Sequence, residues 1–238
     1  MEKMMTGSLG CKHASNGSAQ GGVYETATFL PTSDHTVCFF VYILSVPPGS
    51  DYYELWQVND SINAGFEMVV DNTNTLTLYC DNTIVATADV LNINQWYFMA
   101  ASLLGVNTAL YYKAVGAPTC KSYLSSSGNT FTPSMNMSIA LSGLFGTVGG
   151  LNGSVCGVKL WSGVALTQAE IEKESEQIDP VRTADLWEYW PLTSDFDLTG
   201  KVRGIKMLYG GNQTAASHTE YPSAGPPIPD VIPKKRII

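Results

Sequence analysis

The sequence is short of charge and has no long apolar segment. Charged residues make up 14% of the 238 residues, whereas globular domains average about 25%. Hydrophobic residues stand at the ordinary level of 45%, so the composition predicts a folded chain with a substantial core rather than a disordered one. The longest apolar run, Val37 to Leu44, is far shorter than the ~20 residues that a membrane-spanning helix needs. We therefore expect no membrane insertion.

Two further absences concern secretion and cysteine chemistry. The N-terminal sequence MEKMMTGS contains no apolar segment of the signal-peptide kind, so we expect no signal peptide. The five cysteines include no Cys-x-x-Cys pair, which disfavours a zinc site, and their odd number and wide spacing do not resemble a disulfide scaffold. Cys38 and Cys156 lie in apolar segments, and we expect both to be small buried side chains. These features favour assembly in a reducing cell interior.

Basic residues are absent from a long part of the chain. No Lys or Arg occurs between His13 and Tyr112, and between Val90 and Ala169 the charged residues are all lysines. The first interval holds these acids: Glu25, Asp34, Asp51, Glu54, Asp60, Glu67, Asp71, Asp81 and Asp89. Together with a net charge of −8, this pattern argues against nucleic-acid binding, which needs clustered Lys and Arg. Two interpretations stay open: chance on a surface of low charge, or an acidic patch that binds Ca²⁺ or a partner.

The sequence does contain the pattern of an all-β fold. Segments of strand length alternate with turn signals such as Pro47-Pro48-Gly49 and Asp71-Asn72. The predicted strands are 23–29, 36–45, 53–59, 65–71, 75–80, 83–88, 96–104, 108–115, 137–142 and 154–161. Many strands of similar length joined by short turns indicate a sandwich or a barrel.

Two of these strands, at 37–44 and 96–101, are apolar on both faces. Central strands have this pattern when something covers the outer face of their sheet, and we expect the chain's tails or a neighbouring subunit to be the cover. The strand 154–161 alternates instead. Cys156, Val158 and Leu160 are predicted on one face and Lys159 on the other.

One helix is well signalled. Thr167 can act as its N-cap, and Glu170, three residues later, completes a capping box. Leu166 and Ile171 occupy the positions of a hydrophobic staple. The helix is predicted to run to about Glu176, before Asp179-Pro180.

Residues 91–100 (LNINQWYFMA) and 107–112 (NTALYY) resemble the laminin G-like jelly rolls of the concanavalin A-like lectin/glucanase superfamily. Residues 151–161 (LNGSVCGVKLW) with 166–171 (LTQAEI) look like the last strand and short helix of that family. Trp190-Pro191-Leu192 and Asp197-Leu198-Thr199-Gly200 look like its Trp-x-Leu and Asp-x-Ser-Gly elements. The resemblance implies an all-β fold, a two-sheet antiparallel jelly-roll sandwich with one short α-helix. In such a fold Trp96 and Trp161 serve packing.

The resemblance covers about residues 23–200, which we take as the jelly-roll domain. Residues 1–22, rich in Gly, Ser and Asn, are predicted to form an N-terminal arm. Residues 201–238 form a C-terminal extension whose end, from Ser223, is rich in proline and is expected to be extended.

Catalysis is not expected. The glucanases of the superfamily resemble one another in a Glu-x-Asp-x-x-Glu strand that this sequence lacks, and it also lacks a Gly-x-Ser-x-Gly elbow and a His-Glu-x-x-His motif. Glu67 and Asp71, four apart on one strand, would lie ~13 Å from each other. Glycosidase carboxyl groups need separations of roughly 5–9.5 Å. A cross-strand pair between Glu54 and Glu67 stays open as an alternative.

Three groups of residues are candidates for binding. Tyr52, Tyr53 and Trp56 beside Glu54 and Asp60 suit a sugar, because aromatic faces and carboxylates together match sugar rings; the alternative places Trp56 in the core. No cofactor is expected, although Asp71 and Asp81 lie in loops that could supply oxygen ligands to Ca²⁺. The third group is Lys234, Lys235 and Arg236, which either form a solvated chain end or contact an acidic partner.

Two functions follow as expectations. The first is a non-catalytic structural or decorating protein of a virus particle, of the phage type, located in the virion. It would assemble with copies of itself or with other virion proteins, and could also hold glycans. The alternative is a lectin-like carbohydrate-binding module on an extracellular or cell surface.

Overall fold

The computed structural model describes residues 9–11, 20–25, 34–47, 49, 52–59, 64–80, 83–126, 137–139, 151–192 and 198–211. These residues form strands and one short helix, α1 (Gln168–Glu174). The strands are β1 (Leu9–Cys11), β2 (Gln20–Glu25), β3 (His35–Ile43), β4 (Tyr52–Asn59), β5 (Ala64–Asp71), β6 (Thr75–Cys80), β7 (Thr83–Val90), β8 (Gln95–Leu104), β9 (Asn107–Ala114), β10 (Lys121–Ser125), β11 (Met137–Ile139), β12 (Gly153–Ser162), β13 (Leu186–Trp190) and β14 (Met207–Gly211).

The strands form two sheets, and every pair within them is antiparallel. The first sheet has the order β1-β12-β3-β8-β9-β10, and β13 lies beside β1 along the same edge of β12. The second sheet has the order β14-β2-β11-β4-β5-β6-β7. The expected two-sheet antiparallel sandwich with one short helix is thus confirmed. No helix among the described residues is long and apolar enough to cross a membrane.

The core lies between the sheets, where the inward side chains of alternate residues are fully buried. Val37, Phe39 and Val41 of β3 contribute from the first sheet, and Phe66 and Met68 of β5 from the second. Alternation of this kind is what a strand with one buried face requires. Burial of these apolar side chains is the main stabilising contribution to such a fold.

The outer face of the first sheet is covered by the chain itself. Thr36 Oγ1 accepts a hydrogen bond of 2.9 Å from the amide of Leu166 and donates one of 3.1 Å to the carbonyl of Val164. Further along β3, the side chains of Phe40 and Ile178 both lie against Gly157. The outer side of β3 therefore faces the segment 163–192, which contains α1. This finding corrects the expectation that the tails or a neighbouring subunit provide the cover.

A β-bulge at Gly157 changes the faces of β12. Gly157 has φ +61°, and the pairing with β3 shifts between Cys156, which lies opposite Phe40, and Lys159, which lies opposite Cys38. Since Phe40 and Cys38 are two residues apart, Cys156 and Lys159 share the outer face. The expected alternation, with Lys159 opposite to Cys156, is wrong because the extra residue of a bulge shifts the register by one.

Lys159 is completely buried under α1. Its Nζ lies 2.8 Å from Glu174 Oε2 and donates hydrogen bonds of 3.0 and 2.9 Å to the carbonyls of Glu174 and Gln177. Burial lowers the pKa of Lys159, and the charge of Glu174 opposes this shift. The ion pair fixes the helix on the outer face of the first sheet.

The start of α1 agrees with the sequence analysis. Thr167 is its N-cap, and the reciprocal hydrogen bonds of a capping box connect Thr167 and Glu170. Leu166 and Ile171, at the staple positions, are both buried. The helix ends at Glu174, two residues before the predicted limit.

Asp89 connects the two sheets at the edge where β7 contacts β9 and β10. Its carboxylate accepts hydrogen bonds of 2.8 Å from the Tyr112 hydroxyl and 3.1 Å from the Tyr123 hydroxyl, and it pairs with Lys121. The rings of Tyr112 and Tyr123 stack with centroids 6.2 Å apart. The hydrogen bond from Lys121, together with those of the tyrosines, lowers the pKa of Asp89.

The cysteines with described side chains are Cys38, Cys80, Cys120 and Cys156, which are all buried and form no disulfide with one another. The expectation for Cys38 and Cys156 is thus confirmed. Burial raises the pKa of both thiols, and the nearby Lys159 only partly offsets it.

Candidate functional site

The outward face of the second sheet carries a set of polar and aromatic side chains in register. Glu67 lies opposite Gln57 of β4 and Tyr79 of β6, and Tyr52 lies opposite Asp71. The inward residues of β5 alternate with these outward ones and are buried in the core. The face is therefore produced by the period-2 geometry of three consecutive antiparallel strands.

The middle row of this face is formed by Glu54 of β4, Val69 of β5 and Thr77 of β6. A bulge in β4 precedes Trp56, and it places both Leu55 and Trp56 in the core. Because two consecutive residues face inward there, Glu54 and Gln57 both remain on the outward face.

A cavity of about 230 Å³ opens on this face, and we call it the acidic cleft. The residues that line it are Tyr52, Glu67, Val69, Asp71, Thr77 and Tyr79. Its volume is below the roughly 300–1,000 Å³ of pockets that enclose drug-sized ligands, so the acidic cleft suits one small ring or the end of a chain.

The strands of the second sheet contain no Lys, Arg or His. Their charged residues are all acids: Glu25, Glu54, Glu67, Asp71 and Asp89. The long interval without basic residues in the sequence includes five strands of this sheet, β2 and β4 to β7, and also β3 and β8 of the first sheet. Lys113, Lys121 and Lys159 are on strands of the first sheet.

Burial on this face changes the acidity of its carboxyl groups. Glu54 is only 3% exposed, and burial, with a smaller contribution from the charge of Glu67, raises its pKa to about 8. Burial also raises the pKa of Glu67, although a 2.7 Å hydrogen bond from the Gln57 amide opposes the shift. Burial and the neighbouring acids raise the pKa of Tyr52 to about 12. At neutral pH the face holds an uncharged Glu54.

Two buried oxygens beside Glu67 have no hydrogen-bond partner among the described residues. They are Glu54 Oε2 and Gln57 Oε1. Gln57 uses its amide nitrogen to bind Glu67, which leaves its oxygen as an acceptor. Unpartnered buried acceptors are rare in native proteins and favour a ligand or water that donates hydrogen bonds.

Asp71 has a second role in the turn between β5 and β6. It accepts hydrogen bonds of 2.8 and 2.9 Å from the amides of Thr73 and Thr75, and one of 2.6 Å from the Thr73 hydroxyl. Burial raises its pKa, but these hydrogen bonds outweigh that effect and leave the pKa below its usual value. Asp71 is therefore an ionised residue at the rim of the acidic cleft.

The structure divides the residues that the sequence suggested for sugar binding. Tyr52 lines the acidic cleft, and Glu54 lies on the same face. Trp56 is fully buried between the sheets, where its ring contacts His35 and Phe66, so its predicted role as a sugar contact is corrected.

Tyr53 is also removed from the candidate site. Its ring lies in the core, and its hydroxyl donates a 3.0 Å hydrogen bond to the carbonyl of Val46. Tyr53 and Trp56 face inward because their positions in β4 are opposite the core residues of β5.

The other predicted site residues have different outcomes. Asp60, Asp81, Lys234, Lys235 and Arg236 lie outside the described residues. The described part of the chain holds no group of three or more His, Cys, Asp or Glu placed to bind a metal ion. Asp71 lies in the turn just described, and its place in a Ca²⁺ site stays a prediction.

Tyr79 and Thr77 were not identified from the sequence as site residues. Both lie on β6, at alternate positions of the segment 75–80 that was predicted as a strand. The short turn after Asp71 sets the register that brings Tyr79 opposite Glu67. Cross-strand pairing of the two predicted strands is the signal that points to them.

The two-sheet sandwich with its short helix places the fold of this protein in the lectin-like jelly-roll class. A family model described as the concanavalin A-like lectin/glucanases superfamily matches residues 16–172. The chain belongs to this superfamily. No curated protein matches it.

Solved structures with the same fold come from several sources. A heptameric SAP-like pentraxin from Limulus polyphemus is 15% identical, with a TM-score of 0.54 over 91% of this chain and 98% of the pentraxin. The enzymatically active domain of tailspike protein 2 from bacteriophage CBA120 is 12% identical, with a TM-score of 0.55 over 77% of this chain and 29% of the tailspike chain.

A candidate carbohydrate-binding protein from Bacteroides ovatus is 13% identical, with a TM-score of 0.55 over 87% of this chain and 59% of that one. This chain therefore spans less than two thirds of both the tailspike and the Bacteroides protein. At these identities the likeness shows the fold alone.

Proposed function

We propose that this protein binds carbohydrate at the acidic cleft and does not cleave it. The observation that carries the proposal is the arrangement of Tyr52 and Tyr79 around a floor of Val69 and Thr77, with Glu67 beside them. Tyrosine rings and aliphatic side chains pack against the C–H faces of a sugar, and carboxylates accept hydrogen bonds from its hydroxyl groups. A concave site with an apolar floor and a few placed polar groups is the usual form of a small-molecule site.

The burial of Glu54 supports the absence of cleavage. Hydrolysis of a glycoside requires two carboxyl groups that flank the scissile bond. Glu54 is almost completely buried and is not among the residues that line the acidic cleft, whereas Glu67 is. Asp71, the other acid of the lining, is held by the turn through three hydrogen bonds.

A titration of oligosaccharides into the protein, followed by calorimetry, tests the proposal. Tyr79→Ala should weaken binding at least about tenfold, since it removes a side chain of the acidic cleft. Tyr42→Ala is the matched control, because Tyr42 is a partly exposed tyrosine of the first sheet that contacts Trp96. Equal affinities for all three proteins would contradict the location of the site, and release of reducing ends from a bound glycan would contradict the absence of cleavage.

We also propose, as a second function, that the protein is a structural or decorating component of a virus particle and assembles with copies of itself or with other virion proteins. The observation that favours assembly is at the edge of the first sheet. Among the described strands β10 pairs only with β9, and Leu124 on this edge strand is 77% exposed. A groove of about 550 Å³ beside it is lined in part by Leu104 and Ala165. Edge strands with exposed apolar side chains are typical sites of association.

Light scattering during size-exclusion chromatography tests this assembly. The wild-type chain should be oligomeric, and Leu124→Lys should shift it toward the monomer while its thermal unfolding stays unchanged. Removal of residues 223–238 tests the contribution of Lys234, Lys235 and Arg236 to the same contacts. A wild-type monomer, unchanged by both alterations, would contradict assembly and leave the carbohydrate-binding module of an extracellular or cell surface as the function.

A further inference from the structure

We infer that the acidic cleft accepts uncharged saccharides and rejects glycans that carry carboxylate, sulfate or phosphate groups. This inference rests on the proposed carbohydrate binding and specifies the class of ligand. It follows from two features of the residues that line the acidic cleft: the sign of their charges and the hydrogen-bond acceptors that they provide.

The first feature is charge. The strands that form the face provide acids and no base, and two acids, Glu67 and Asp71, line the acidic cleft itself. Glu67 is partly buried, so water screens its charge less than at an open surface. An anionic glycan would bring a like charge into contact with these carboxylates and would find no Lys or Arg of these strands to pair with.

The second feature is the balance of donors and acceptors. The carboxyl groups of Glu67 and Asp71 line the acidic cleft, and the ionised Asp71 can only accept hydrogen bonds. Sugar hydroxyl groups can donate to these carboxyl oxygens. Carboxylate, sulfate and ionised phosphate groups are essentially hydrogen-bond acceptors, so they cannot donate hydrogen bonds to these carboxyl oxygens.

A glycan array with matched neutral and anionic members tests the inference on the full chain. The bound set should consist of neutral glycans, with sialylated or sulfated counterparts of the same backbone at least about tenfold weaker. Because the exclusion is electrostatic, the difference should shrink between about 0.01 M and about 1 M salt, where the Debye length falls from ~30 Å to ~3 Å. An exclusion that does not respond to salt would overturn the electrostatic explanation.

Two substitutions at one position sharpen the test. Glu67→Gln should reduce the discrimination against anionic glycans, and Glu67→Lys should reverse it. If the Glu67→Lys variant does not fold, the salt dependence and the Glu67→Gln variant still test the exclusion of anionic glycans. Stronger binding of anionic members by the wild-type protein would overturn the inference but keep carbohydrate binding, whereas no binding to any glycan would overturn the proposed function itself.

Discussion

Gly200 lies so close to the carboxyl group of Glu188 that a β-carbon at this position would overlap it. Glu188 is fully buried and accepts hydrogen bonds of 2.7, 3.0 and 3.1 Å from the amides of Val202, Arg203 and Ile205. Its carboxylate thus binds the turn that follows Gly200 to β13. The absence of a side chain at residue 200 is a condition for this arrangement.

Gly200→Ala should destabilise the protein by about 3 kcal/mol, since the added methyl group must displace a buried carboxylate from its donors. Gly204→Ala is the control: its φ of +72° makes a side chain unfavourable, but nothing lies within 4 Å of the added atom, so we expect about 1–2 kcal/mol. Urea denaturation measures both. Equal losses would mean that Glu188 and Gly200 are not in contact.

Replacing Glu174 should destabilise the protein more than replacing Lys159, its partner in the ion pair under α1. Glu174→Leu leaves a buried lysine without its counter-charge and removes the acceptor of the Val181 and Arg182 amides, so we expect a loss of about 3–5 kcal/mol. Lys159→Met should cost less, because Glu174 keeps both amide donors and the methionine fills a similar volume. Urea denaturation of the two variants checks the order. The reverse order would show that the lysine, rather than the carboxylate, organises this region.

Glu54 should make the stability depend on pH. The pKa of Glu54 rises from 4.5 to about 8 on folding. The contribution of Glu54 to the free energy of unfolding is therefore fully present below pH 4.5 and is lost as the pH rises toward 8. Relative to Glu54→Gln, the wild-type protein should lose on the order of 3 kcal/mol of unfolding free energy between pH 5 and pH 9.

Urea denaturation at a series of pH values measures this difference. Glu176→Gln, at an exposed position after α1, is the control and should follow the wild-type profile. A difference between wild type and Glu54→Gln that stays constant with pH would contradict the burial of an uncharged Glu54.

Asp89 should hold the edges of the two sheets together. Asp89→Ala removes the acceptor of the hydrogen bonds from Tyr112 and Tyr123 and the partner of Lys121. We expect faster hydrogen exchange of the β10 amides, while exchange in β3 and β12 stays at the wild-type rate. Because the pKa of Asp89 is lowered in the folded protein, the wild type should lose this protection as the pH falls through that lowered value. Unchanged exchange in β10 would contradict the role of Asp89.

The regular parts of the fold could be predicted from sequence because local signals specify them. All ten predicted strands correspond to strands of the structure, and the capping box of α1 is present as expected. The four other strands are β1, β10, β13 and β14. In β10 the exposed Leu124 obscures the alternation, and β1 has only three residues, so neither carries a strong strand pattern.

Long-range features could not be predicted because they depend on register. The cover of β3 by the segment after β12 and the bulge at Gly157 both follow from tertiary pairing. Of the candidate site, Tyr52, Glu54 and Asp71 were identified from the sequence, but Trp56 was assigned to the wrong face. The bulge that turns Leu55 and Trp56 inward together leaves no mark in the alternation of the sequence.

The order of the strands along the chain also has a consequence for folding during synthesis. The acidic cleft is built from β4, β5 and β6, which follow one another directly and need only short loops to close. The first sheet cannot be completed until β12 has been made, because β12 inserts between β1 and β3. We therefore expect the binding face to form on the ribosome first, with its apolar reverse side exposed until the later strands arrive.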